Sequence, residues 1–167
     1  MSEPEVWLRG PLPEYLDELQ PVAHSLLQVR EEIERASTLP PGQLWARAGG
    51  AASIGFHLKH LAGSLDRLLT YAAGKQLNAV QYDDLAAEGH VTEESAETLV
   101  RRAHAAIDRA LTHVRTTPSC TLDETREVGR DRLPSNVLGL LFHAAEHAQR
   151  HSAQIITTAK IIGGSDG

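Results

Sequence analysis

Residues 143–151 read HAAEHAQRH and set His143, His147 and His151 at i, i+4 and i+8. On a helix these positions stack on one face, one turn apart. A second segment, SIGFHLKHLAGSLDRLLTY, carries His57 and His60. Imidazole is a preferred ligand of zinc and nickel, and a His-x-x-x-His pair can grip one ion from consecutive turns. A third histidine from a facing helix completes a three-ligand site. Three protein ligands leave a coordination position for water or substrate, as in catalytic zinc.

Helical-wheel arithmetic ranks the candidates on the last helix. From the centre of its apolar stripe, His151 lies roughly 50° away, His147 roughly 90° and His143 roughly 130°. The pair His147/His151 is therefore favoured over His143/His147, and His143 is the most solvent-directed of the three. In the other segment the same arithmetic puts His57 roughly 60° from the stripe centre and His60 roughly 120°. Geometry alone mildly prefers His57 there and leaves both open. Ser53, Ser64 and Tyr71 share the strip of His57 and His60, and Gln154 extends that of His143, His147 and His151. Two polar strips beside two apolar stripes predict a lined cleft between these helices.

Four helices must position these residues. The first begins at Pro21, a good first-turn residue, and repeats Val22, Leu26, Val29 and Ile33 until LPPGQ stops it. The second covers about 51–73, with Ile54, Leu58, Leu61, Leu65, Leu68 and Ala72 inward and Gly74 as C-cap. The third starts behind Thr92 as N-cap and runs to about Arg115. The fourth starts near Pro134 or Ser135, reaches about Ile162, and ends at Gly163 and Gly164. Residues 75–91, with a short helix in AVQYDDLAAE, and residues 116–133 form long connections. Residues 1–20 form an arm with one helical turn near Tyr15–Leu19, pinned by Trp7 and Leu8, and Trp45 is expected as a lid on the core. The expectation is an all-α four-helix bundle with long connections, a single unit over 1–167.

Composition narrows the partners. The chain has 167 residues, 41% of them hydrophobic and 4% aromatic, with a formal net charge of -6. No cluster of Lys and Arg is present, so nucleic acid is not an expected partner. No apolar run approaches the roughly 18 residues that span a membrane, and MSEPEVW has no signal-peptide character. Cys120 is the single cysteine, which excludes an intrachain disulfide and fits a cytoplasmic protein. His24, His90, His104 and His113 read as ordinary solvent-facing or loop histidines.

KHLAGSLDRLL in the second helix, with EHAQRHSAQII in the last, resembles the DinB/YfiT-like superfamily of metal-dependent enzymes. The resemblance extends over nearly the whole chain in helix order and length. It implies an up-down-down-up bundle and a metal triad of one histidine from the second helix and a His-x-x-x-His pair from the last. The matching positions are His60, just before a small-residue segment, and His147 and His151, the latter followed by Gln154. For the second helix the resemblance thus selects against the wheel. Many members read His-Arg-Gly-Gln at the last ligand, where this chain reads HSAQ, so any role of that arginine is missing here. Glu146, Ser64 and Gln154 are candidates to hold the ligands' second N–H, with His57, Tyr71 and His143 along the cleft.

The resemblance also implies a chemistry. Characterised relatives include thiol-dependent transferases and an isomerase that use bacillithiol, mycothiol or glutathione. An open three-histidine metal, zinc or nickel, can bind a thiol and lower its pKa for attack on an electrophile. A thiol S-transferase acting on small electrophiles is the leading expectation, with a small-molecule thiol and an electrophile as partners and a homodimer as one expected assembly. A metal-dependent hydrolase is the nearest alternative, although Glu146 points away from the pair and supplies no general base. A non-enzymatic stress-related binding module, with a structural or absent metal, is the third; a fourth protein ligand would favour it.

Overall fold

The computed structural model describes residues 3–164; Met1, Ser2 and residues 165–167, at the ends of the expected 1–167 unit, lie outside the described residues. Six α-helices follow in order: α1 (Gln20–Ile33), α2 (Pro41–Leu44), α3 (Ile54–Ala72), α4 (Ala79–Ala87), α5 (Ala96–Thr116) and α6 (Val137–Ile162). A hairpin, β1 (Thr125–Val128) and β2 (Leu133–Asn136), lies between α5 and α6. Leu26, Ile33, Leu58, Leu65, Ile107 and Leu141 share one core cluster drawn from the four long helices. Both α1 and α3 pack against α5 and α6. No helix is long and apolar enough to cross a membrane among the described residues.

Local chemistry explains where the boundaries fall. Ser53, expected on the cleft strip, instead caps α3 by accepting from the Phe56 N–H at 3.2 Å. The α5 cap is Ser95, which accepts from Thr98 N–H at 3.2 Å, rather than Thr92. Thr92 donates its hydroxyl to Glu94 instead. The last helix starts at Val137, not at Pro134 or Ser135, because the Asn136 side chain accepts from Gly139 N–H at 2.7 Å. Pro134 belongs to β2, opposite Glu127, and a two-stranded sheet is all edge, where a missing N–H is tolerated.

That hairpin adds a small two-stranded sheet to the mostly helical fold, in and just beyond the 116–133 segment expected as a long connection. The Arg126 side chain donates to the Ala72 carbonyl at 2.7 Å and so fastens β1 to the end of α3. In the turn, Gly129 and Arg132 take positive φ of 73° and 50°. The short helix expected in the 75–91 connection is α4, opened by a capping box between Asn78 and Gln81.

The arm has the helical turn expected near Tyr15–Leu19, but Trp7 and Leu8 do not pin it. It holds single 3₁₀ turns at Val6–Leu8 and Asp17–Leu19. Val6 is the buried residue, while Trp7 is 61% and Leu8 57% exposed. Leu12, Tyr15, Leu16 and the fully buried Leu19 pack the arm's second half against the core, and polar contacts hold its start: Val6 N–H donates to Gln28, and Arg9 forms a two-pronged pair with Glu31.

Trp45 packs against the core as a lid, and a Cβ placed on Gly55 would lie 2.6 Å from its ring. Gly55→Ala forces that indole outward, and overpacking of this kind costs about 1–3 kcal/mol. Chemical denaturation should show that loss together with a shift of Trp45 emission, read in a Trp7→Phe background; unchanged stability and emission would contradict the packing.

Candidate metal centre

His60 and His57 come from the first half of α3, and His147 and His151 from the middle of α6. The two helices run antiparallel, so that His57 meets His151 and His60 meets His147. One ring nitrogen from each of His60, His147 and His151 lies within 4.8 Å of the other two, and among the described residues no fourth side chain joins this group. Ring centroids stand 4.6 Å apart for His60–His151 and His147–His151, and 5.1 Å for His60–His147.

The His60 ring is held from behind. Its Nδ1 lies 2.7 Å from Glu88 Oε2, and its face stacks on Phe56 with an interplanar angle of 10°. A carboxylate accepts, so Nδ1 carries the proton and Nε2 turns its lone pair into the cluster. Glu88 is only 4% exposed, and its other oxygen accepts from Arg67 Nη1 at 2.6 Å. Gly63 makes this possible: a Cβ there would collide with Glu88 and Arg67. The glycine one turn past His60 is thus the gap through which the carboxylate reaches the ring.

The position of Glu88 is built by α4. Gln81, besides closing the capping box, donates to Asp66 and Thr70 of α3 at 2.7 and 2.8 Å. Lys59 of α3 donates to the carbonyls of Ala87 and His90 at the other end of α4. Both ends of α4 are therefore anchored on α3, and Glu88 follows its last residue.

His60 Nε2 faces His147 Nε2 at 3.0 Å. Two nitrogens on one tetrahedral zinc stand about 3.3 Å apart, given Zn–N of about 2.0–2.1 Å. His151 Nδ1 lies 2.9 Å from His57 Nδ1. With His151 donating there, its Nε2 lone pair is free for the cluster, and His57 fixes its tautomer. His147 Nδ1 is a buried polar atom with no partner. A proton on His147 Nε2, shared with His60, would leave this Nδ1 as an unsatisfied acceptor. Burial pushes the pKa of His57 and His147 below the ordinary imidazole value and that of His151 to about 3, with neighbouring histidines adding to each shift. His147 and His151, held neutral by burial, converge with His60 Nε2 into a donor set that suits a divalent cation.

The remaining candidates divide. Ser64 is buried but donates to the Leu61 carbonyl, and Tyr71 is buried beside the cleft. Gln154 is exposed, so it holds no ligand. Glu146 pairs with Arg150 and lies 3.3 Å from His143 Nδ1, outside the cluster. His143 is half exposed, with its ring centroid 5.5 Å from that of His147. His104, expected in solvent, is largely buried and bonds the Arg30 carbonyl; His113 is also half-buried, whereas His24 bonds the Gly10 carbonyl and His90 is exposed. Glu88 was missed in the sequence. Its only signal is that AVQYDDLAAE ends on it, and the ring it reaches lies 28 residues earlier.

Removing one member of a buried ion pair strands the other. Glu88→Ala should lose about 3 kcal/mol in denaturant unfolding, and the double variant Glu88→Leu/Arg67→Met should recover most of it. A single-variant loss under about 1 kcal/mol would mean that Arg67 is not confined by this pair.

A search of curated proteins finds no match. Residues 15–155 match the family model of the DinB superfamily, and the match spans both histidine-bearing helices. The chain belongs to the DinB superfamily.

Proposed function

We propose that His60, His147 and His151 hold one divalent metal, zinc or nickel, and that the protein is a thiol-dependent S-transferase acting on small electrophiles. The observation that carries the metal reading is the convergence of one ring nitrogen from each of three imidazoles, with His147 Nδ1 left buried and without a partner. A set of three protein ligands leaves room for an exogenous one, which supports a catalytic rather than a structural role. The up-down-down-up order belongs to the same reading; it is supported by His57 and His60 of α3 meeting His151 and His147 of α6, by Arg30 and Glu34 near α1's end meeting Asp108 and His104 of α5, both antiparallel, and by Gln149 and Ser152 of α6 reaching Ser25 and Glu32 of α1 in parallel.

When bound, such a metal lowers the pKa of a thiol in the open position. The chain's own contribution is orientation. Glu88 holds the His60 ring and its tautomer, and His57 does the same for His151. His60 and His147 open on a cavity of about 470 Å³ in which Leu68, Tyr71, Leu77, Tyr82 and Leu85 form an apolar wall for the electrophile's body. In the transfer the S–H proton is lost, sulfur bonds to the electrophilic carbon, and the leaving group departs with its electron pair and takes up a proton. His143 lines the same cavity and is exposed to solvent, so it can carry the proton away.

The hydrolase alternative has less support, because the nearby carboxylates are engaged: Glu88 by Arg67 and His60, Glu146 by Arg150. Untagged protein should carry close to one zinc or nickel per chain, and His147→Ala should lose it. Glu88→Gln, which keeps the shape but not the charge, should weaken zinc binding about 10–100-fold in a chelator competition. No metal in either wild type or variant, even after incubation with zinc or nickel, would remove the enzyme reading.

A further inference from the structure

The cavity beside His60 and His147 has a second polar feature. Leu68, Tyr71, Leu77, Tyr82 and Leu85 give it an apolar wall, and the hairpin turn adds Arg130. No Asp or Glu lines it among the described residues. The Arg130 guanidinium sits 4.8 Å from the Tyr82 ring centroid, a cation–π contact. Its N–H donors make no hydrogen bond or ion pair among the described residues: Glu127 is taken by Arg132, and Asp131 next along the turn stays exposed. Arg67, the other arginine in the lining, is committed to Glu88.

An uncompensated guanidinium at an apolar wall favours one ligand chemistry. Arg130 is exposed at the mouth of the cavity, and its planar fork matches a carboxylate in two parallel hydrogen bonds. We propose that this cavity takes a small molecule with an apolar body and a carboxylate end, and that Arg130 holds the carboxylate as a specificity-determining residue. The inference rests on the three-histidine reading for the identity of the reactive end; the anion anchor itself does not require a metal. The volume of about 470 Å³ is in the range of small-ligand sites.

The test uses 4-phenylbutanoate and its neutral amide, 4-phenylbutanamide, titrated into chelator-treated protein so that a carboxylate cannot ligate a metal. The carboxylate should bind about tenfold more tightly than the amide. Arg130→Gln should abolish that preference while leaving the amide unchanged, and Arg130→Lys should retain part of it. Equal binding of the two probes by wild type, or a preference that survives Arg130→Gln, overturns the proposal. A fall in both probes together in Arg130→Gln also overturns it, since that marks Arg130 as packing for Tyr82 only. A parallel zinc titration separates the two readings. Arg130-dependent preference in a protein that takes no zinc sustains the anchor and defeats the metal site; zinc binding without the preference does the reverse.

Discussion

Glu88 is a carboxylate removed from water, and burying such a charge costs several kcal/mol unless a counter-charge and hydrogen bonds meet it. Arg67 supplies the charge and the His60 ring supplies the second donor. Neither can be exchanged freely, because α4 fixes where Glu88 stands and Gly63 fixes how closely it passes α3. The consequence reaches the far side of the imidazole. With Nδ1 committed, His60 can present only Nε2 to α6, and the cluster inherits its geometry from a contact that is not part of it.

The α6 side is arranged with fewer parts. His147 and His151 stand one turn apart, and the antiparallel α3 brings a histidine against each. One of those, His60, enters the three-nitrogen group; the other, His57, sits behind His151 as its hydrogen-bond partner. Burial disfavours a charge on His57, His147 and His151, which preserves lone pairs for a cation. A core of Leu, Ile and Ala around these helices supplies the rigidity that such alignment needs.

How much of this the sequence discloses depends on the range of the interaction concerned. The 3.6-residue period locates the long helices and picks out His147 and His151, since both are properties of one helix. The choice between His57 and His60 is not. It turns on the rotation of α3 against α6 and on Glu88, and the wheel preferred His57; the resemblance to a family selected His60, which is the residue the structure groups with the pair. Strands of four residues, Thr125–Val128 and Leu133–Asn136, are too short to show a period, and they depend on Arg126 reaching the end of α3. Trp7 and Leu8 looked like anchors because they are apolar, yet the apolar anchors of the arm are Val6, Leu12, Tyr15, Leu16 and Leu19, and its start is held further by the Arg9–Glu31 pair, which a hydrophobic pattern does not reveal.

The coordination sphere is where this account is most exposed. X-ray absorption at the metal edge of zinc-loaded, untagged protein counts imidazoles directly. The structure leads to three imidazole nitrogens at about 2.0–2.1 Å with one further light-atom ligand, and to loss of one imidazole in His60→Ala but none in His57→Ala. Four imidazoles in the wild type, or an imidazole lost with His57 and not with His60, would contradict it.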